Sequence, residues 1–156
     1  MFGTSIFVKF FKIHIFHYIK RVENTENPVE SKESLRERLT DQQYKCTQEA
    51  DTEAPFTGIY WDETRDGTYR CIVCDEPLFS SESKFDSGCG WPSFDAPIQD
   101  GIITFRSDQS FGMLRTETLC TNCGAHLGHI FPDGPTPTGD RYCINSACIN
   151  LETEDN

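Results

Sequence analysis

Four of the eight cysteines fall into two Cys-x-x-Cys pairs, Cys71/Cys74 in "YRCIVCDEPLF" and Cys120/Cys123 in "TLCTNCGAHLGH". Two intervening residues let both sulfurs of a pair turn toward one ion. Two such pairs supply the four thiolates of a closed, tetrahedral structural zinc site. The pairs are separated by 45 residues. That is more than a compact zinc ribbon spans, so the ion is expected to tie together distant parts of the chain. A shell closed by four sulfurs leaves no position for a catalytic water, which argues against a zinc hydrolase. A thioredoxin-type redox motif is disfavoured too, because it uses a single CxxC in a βαβ pattern.

The other cysteines are Cys46, Cys89, Cys143 and Cys148. Cys143 lies in "GDRYCINSAC", with Arg141 two positions before it and Asn145 two positions after. The thiolate is the reactive form, and a nearby cation lowers the thiol pKa. A free cysteine is often just a small core hydrophobe, but this context makes Cys143 a candidate nucleophile, with His126 and His129 of "GAHLGHIF" as acid–base candidates. The histidines would equally suit a structural hydrogen bond beside the metal turn. Cys89 sits between glycines in "SGCGWPSF", where the backbone is mobile. Trp91 and Phe94 of that stretch suit an apolar wall, although aromatics of this kind more often belong to the core. A reactive cysteine and a second thiol on a flexible loop suggest a sulfenic acid followed by a disulfide. Cys148 follows Cys143 by five positions. On a continuous strand that odd separation points the two side chains to opposite faces, making Cys148 a poor partner. Cys46 has no specific role in this reading.

These groups need a scaffold, and 156 residues suffice for one domain with a real core. The formal net charge is −11. An acidic surface repels phosphate backbones, so nucleic acid is not an expected partner. A zinc-stabilised binding module without chemistry is the rival class, but such a module needs neither Cys89 nor Cys143. Residues 1–22 hold Lys9, Lys12, Lys20 and Arg21 and no acid, in an Ile- and Phe-rich run. Its lysines and histidines make it too polar for a membrane span. It reads as an organellar leader or as a plain extension, giving a cytoplasmic or mitochondrial location. Residues 23–30 read as an acidic linker. "SKESLRERLTDQQYKCTQ" (31–48) reads as one helix, with Ser31 or Ser34 as N-cap and Leu35, Leu39 and Gln42 on one face. "GTYRCIV", "GIITFRS", "MLRTETLC" and "RYCINSACINLE" read as strands between Asp-Gly and Pro turns. The pattern predicts a mostly β domain from Pro55 onward, with a helical N-terminal segment before it.

"TEAPFTG", "CIVCDEPLF", "KFDSGCGWPSF" and "CTNCGAHLGHIFPDGPTPTGDRYCINS" together resemble the methionine-R-sulfoxide reductases, the MsrB family, from about Ser34 to Leu151. The resemblance implies a domain over residues 34–151, leaving a leader and linker over 1–33 and an acidic tail over 152–156, and within that domain two antiparallel sheets stapled by one four-cysteine zinc ion. It implies reduction of methionine-R-sulfoxide, protein-bound or free, through a sulfenic acid and an intramolecular disulfide recycled by thioredoxin. It places the nucleophile at Cys143 and the resolving cysteine at Cys89. Trp91 would cradle the substrate methyl group, and His126, His129, Arg141 and Asn145 would hold the sulfoxide end. A monomer is expected.

Overall fold

The structure, a computed structural model, describes residues 30–153. The leader expected at 1–22, most of the linker and the last three residues lie outside the described part. Among the described residues, no helix is long and apolar enough to cross a membrane.

The helical segment is two helices rather than one, α1 (Lys32–Arg38) and α2 (Asp41–Glu49). Thr40 causes the break. Its hydroxyl accepts from Gln43 N at 3.2 Å, and the Gln43 side chain accepts from Thr40 N at 2.9 Å. This reciprocal capping box satisfies free N–H groups and starts a new helix. Gln42 is exposed, and the buried face of α2 is Tyr44, Cys46 and Thr47. Leu35, Leu39 and Tyr44 pack on Ile72 and Val73. Arg38 donates to the Ile72 and Val73 carbonyls at 3.0 and 2.9 Å. The helix pair thereby clamps the first CxxC turn.

The rest is mostly β, in two antiparallel sheets. The strands are β1 (Gly67–Cys71), β2 (Pro77–Ser80), β3 (Lys84–Phe85), β4 (Ser93–Phe94), β5 (Ile103–Asp108), β6 (Arg115–Cys120), β7 (His126–Phe131), β8 (Arg141–Ile144) and β9 (Ile149–Thr153). The smaller sheet has the order β2-β1-β9 and the larger β3-β4-β8-β7-β6-β5. The run "RYCINSACINLE" is therefore not one strand. It leaves the large sheet after Ile144, turns through a 3₁₀ segment at Ser146–Cys148, and enters the small sheet as β9. Strand parity consequently says nothing about Cys148. That residue is fully buried against Cys46, and the two thiols interact. β9 pairs with β1 as far as Thr153, two residues past the expected domain end.

Tyr69, Leu78 and Phe79 from the small sheet meet Phe94, Leu127 and Ile144 from the large one, all with no exposed area. Phe79 and Phe94 stack at 4.4 Å between ring centres. Full burial of each apolar side chain contributes roughly 1.5–3 kcal/mol. Phe94, expected in a substrate wall, is thus a core residue.

Candidate active site

The two CxxC turns have the same local build. Cys71 N donates to Glu76 O and Asp75 N to Cys71 O, both at 2.9 Å; Cys120 N donates to Ala125 O at 2.9 Å and Gly124 N to Cys120 O at 2.8 Å. The fifth residue of each turn is left-handed, Asp75 at φ 62° and Gly124 at φ 75°. The Sγ atoms of Cys71 and Cys123 lie 3.7 Å apart, those of Cys74 and Cys120 3.6 Å, and all four fall within 4.8 Å of one another. A tetrahedron with metal–sulfur bonds of about 2.3 Å has edges of about 3.8 Å, so four thiolates here fit one metal ion. Cys71 ends β1 and Cys120 ends β6. The cluster thus joins the two sheets.

The large sheet carries the second site. Register places Ser93 opposite Cys143, Cys143 opposite His129, His129 opposite Glu117, and Glu117 opposite Arg106. Directly opposed residues have Cβ atoms about 4.5–5.5 Å apart on one face. Cys143 and His129 are therefore neighbours by sheet geometry. His126 joins them through an irregularity. The register slips between Thr118 and Leu119, where Leu127 is an additional residue on β7. Three positions apart on a regular strand would mean opposite faces; the bulge brings the two histidines to one face, 5.6 Å between ring centres.

Cys89 comes from the loop before β4. Its sulfur lies 3.8 Å from Cys143 Sγ. Gly88 and Gly90, both at positive φ, shape that loop, and a side chain at Gly90 would collide with Pro55 and Phe56. Ser87 Oγ donates to Cys89 Sγ at 2.9 Å, and Ser93 Oγ lies 3.5 Å away. Partial burial pushes the Cys89 thiol up, but the bonds with Ser87 and Ser93 outweigh it and the net shift is downward. Cys143 behaves in the opposite way. Burial, then the adjacent Cys89, push its pKa up to about 12, although Arg141 works against them. The expected depression by Arg141 is therefore present but overruled by desolvation.

Carboxylates hold the cationic and imidazole groups. Arg141 forms a two-pronged pair with Asp133 at 2.8 and 3.0 Å and lies over the Phe131 ring at 4.6 Å. His126 Nδ1 is 2.7 Å from Glu117 Oε1, and His129 Nε2 is 2.8 Å from Asp108 Oδ2. Burial keeps His126 below its ordinary pKa despite Glu117. Asp108 is held low chiefly by hydrogen bonds from Ser110, then from His129. Asn145 is buried with both amide ends engaged: Nδ2 donates to Leu127 O and Oδ1 accepts from Glu53 N, each at 3.1 Å.

A cavity of about 90 Å³ opens onto Cys143, lined also by Trp91, Gly128, His129, Phe131 and Asn145. Trp91 is fixed by its Nε1–H, which donates to Glu53 O at 3.1 Å. Of the residues expected from sequence, Cys143, Trp91, His129 and Asn145 line this cavity, and Cys89 meets it only through its contact with the Cys143 sulfur. His126 faces a neighbouring groove, and Arg141 stands beside the thiol on Phe131. Phe131 takes the place expected of Phe94. Sequence reasoning also missed Glu53, Asp108 and Glu117. Glu53 lies in the quoted "TEAPFTG" motif, which was its only signal.

Two thiols in contact at an apolar cavity, with an imidazole opposite one of them, are the equipment of a two-cysteine oxidoreductase. Comparison with known proteins narrows the class. A model of the SelR domain matches residues 39–153. A peptide methionine sulfoxide reductase MsrB from Agrobacterium fabrum is 58% identical over 117 residues, covering 75% of this chain and 87% of that protein. One of the same name from Pseudomonas putida is 57% identical over 123 residues, covering 79% and 92%. The chain belongs to the MsrB family of SelR-domain methionine sulfoxide reductases.

Proposed function

We propose that the chain reduces methionine-R-sulfoxide to methionine with Cys143 as nucleophile and Cys89 as resolving thiol. The 3.8 Å contact between their sulfurs carries this reading. The substrate methyl group enters the apolar cavity against Trp91 and Phe131. Cys143 sulfur attacks the electrophilic sulfoxide sulfur, and the oxygen takes up a proton as negative charge builds on it. His129 supplies that proton. Its Nε2–H is committed to the Asp108 carboxylate, leaving Nδ1 to exchange protons. The oxygen passes to Cys143 as a sulfenic acid, the Cys143 thiol proton goes to His129 in place of the one it donated, and methionine departs. Cys89 then attacks the sulfenic sulfur; water leaves and a Cys89–Cys143 disulfide forms. An S–S bond is about 2.05 Å long, so the sulfurs close by under 2 Å, which the glycine-flanked loop allows. A dithiol protein of the thioredoxin type restores both thiols by exchange.

The metal is zinc in this reading, held by Cys71, Cys74, Cys120 and Cys123. When bound it supplies no redox chemistry and fixes the turn preceding His126. Asn145, Trp91 and Arg141 position rather than react: Asn145 secures the Leu127 bulge, and Arg141 offers charge to Cys143 from its Asp133 pairing. The enzyme acts as a monomer on oxidised proteins in a thiol-reducing compartment, cytosolic or mitochondrial.

The test is turnover of the separated R and S epimers with thioredoxin as reductant. Reduction of R alone is expected. Equal rates on both epimers, or none on either, would overturn the assignment.

A further inference from the structure

A disulfide between Cys89 and Cys143 has to be opened by a sulfur from another molecule, and its two ends are not equally placed. Cys143 stands at the cavity of about 90 Å³, walled by Trp91, His129 and Phe131, and Cys89 is not part of that wall. Cys89 comes from the loop before β4, whose Ser87 and Gly88 are exposed. Thiol–disulfide exchange depends on access to the sulfur attacked. Cys89 is therefore the end that a second protein reaches from outside. A protein that brings its own sulfur to bonding distance of Cys89, about 2 Å, also covers the surface around that loop.

One side of that surface is apolar. Phe56 N donates to Gly90 O at 2.8 Å, and a Cβ on Gly90 would meet Pro55 Cβ at 2.8 Å and Phe56 Cδ2 at 2.9 Å. The turn at Pro55 and Phe56 thus lies directly against the residue after Cys89. Phe56 is 55% exposed, and its ring meets the partly buried Trp61 edge-on, 5.3 Å between centres. Ile59, between them in the chain, is 73% exposed. A groove of about 360 Å³ runs on from Trp61 to Phe85 and Asp86. Asp86 leads back to the loop, where its carboxylate accepts from Gly88 N at 2.8 Å. Phe56 holds its place at φ 63°, a left-handed conformation that a bulky side chain rarely adopts. Redox encounters between proteins are small, under about 1,200 Å² of buried surface in total, and interface cores are enriched in aromatic residues. Three large apolar side chains beside one reactive sulfur suit a contact of that size.

We propose that Pro55, Phe56, Ile59 and Trp61 form the surface on which a dithiol protein of the thioredoxin type docks to reach Cys89. The assignment rests on the reductase reading and deepens it by placing the reductant. The partner's thiolate attacks the Cys89 sulfur, the Cys89–Cys143 bond breaks, and Cys143 leaves as a thiolate that takes up a proton. The partner's second thiol then gives up its proton and attacks the partner's own sulfur in the mixed disulfide. Cys89 leaves as a thiolate and is protonated in turn; Ser87 Oγ–H, which donates to Cys89 Sγ at 2.9 Å, stabilises it as it leaves. The partner departs as a disulfide, and both thiols of this chain are restored.

The experiment measures turnover of methionine-R-sulfoxide by the full chain with thioredoxin and, separately, with dithiothreitol, which needs no docking surface. The variants are Phe56→Asn, because asparagine tolerates the left-handed conformation, and Ile59→Ser. Each is expected to raise the KM for thioredoxin about tenfold and to change the rate with dithiothreitol by less than twofold. An unchanged KM for thioredoxin in both variants overturns the proposal, and so does an equal loss with both reductants. In a second readout, the oxidised chain is mixed with a thioredoxin whose second cysteine is replaced by serine, and the trapped mixed disulfide is mapped by mass spectrometry. A bond to Cys89 is expected; a bond to Cys143 overturns the proposal. A wild type that cycles with dithiothreitol but not with thioredoxin would overturn the choice of reductant and the docking surface with it. No turnover with either would overturn the reductase reading itself.

Discussion

Glu53 gives the sharpest test of how the site is held. The residue is 4% exposed, and its carboxylate accepts from Ser146 N at 2.6 Å and Ala147 N at 2.9 Å. Its own N–H reaches Asn145 Oδ1, and its carbonyl accepts Trp91 Nε1–H. One residue thus ties together the turn after Cys143, the amide beside the cavity and the tryptophan over it. Glu53→Gln keeps the shape and removes the charge. The amide oxygen still accepts one backbone N–H, but the amide nitrogen is turned toward the other, donor against donor. A hydrogen bond to a charged group contributes about 1.5–3 kcal/mol, and a buried unpaired N–H costs about 1–3 kcal/mol. One such bond weakened and one lost gives about 2–4 kcal/mol of destabilisation. Urea unfolding of the metal-loaded protein measures it as a lower midpoint at unchanged slope. The intact fraction is expected to lose activity through KM as Trp91 and Asn145 shift. Glu53→Asp, one methylene shorter, cannot span both N–H groups and falls between. A Glu53→Gln variant with wild-type midpoint and wild-type KM would refute the reasoning.

Cys143→Ser is expected to abolish even a single turnover, checked by quantifying methionine released per enzyme without reductant. Cys89→Ser is expected to release one methionine per enzyme and cycle with dithiothreitol, but to lose thioredoxin-driven cycling; full cycling would move the resolving role to another thiol. Replacing Cys71 or Cys120 by Ser is expected to release the metal, read by elemental analysis, and to lower the melting temperature, because binding energy at a structural ion is folding energy. In the reduced protein at pH 7, iodoacetamide is expected to modify Cys89 before Cys143. The Cys89 pKa is shifted down while that of Cys143 is pushed up to about 12, so the Cys143 thiolate fraction is small and grows tenfold per pH unit across the neutral range. Peptide mapping of the alkylated protein over pH 6–9 checks both the order and the slope.

Much of the site was legible because its chemistry is written in short motifs. CxxC spacing alone predicted a cluster whose sulfurs fall within 4.8 Å of one another. Tertiary geometry accounts for what was not legible. The phase of β7 depends on a one-residue slip against β6, and no local pattern announces it. Without that slip the two histidines could not be put on one face. Phe94 and Phe131 are both aromatic and both near a motif; cross-sheet stacking decides that Phe94 belongs to the core. The helix over 31–48 looked continuous by apolar spacing, yet Thr40 followed by Gln43 is a capping box, a signal readable in advance. Glu117 lies inside the expected strand "MLRTETLC" and Asp108 one residue past "GIITFRS", and only pairing across the sheet brings their carboxylates to the imidazoles. The Cys143 pKa was misjudged because sequence shows the neighbouring arginine and not the burial.

The central claim is that Cys143 and Cys89 exchange oxidation directly. Mixing the reduced protein with one equivalent of methionine-R-sulfoxide, without reductant, and mapping its disulfides by mass spectrometry tests it most directly. One methionine per chain is expected, with a single disulfide joining the peptides that contain Cys89 and Cys143 and the other six cysteines unmodified. Methionine formed with the new bond at Cys46 or Cys148, or with both Cys89 and Cys143 still free, would contradict it.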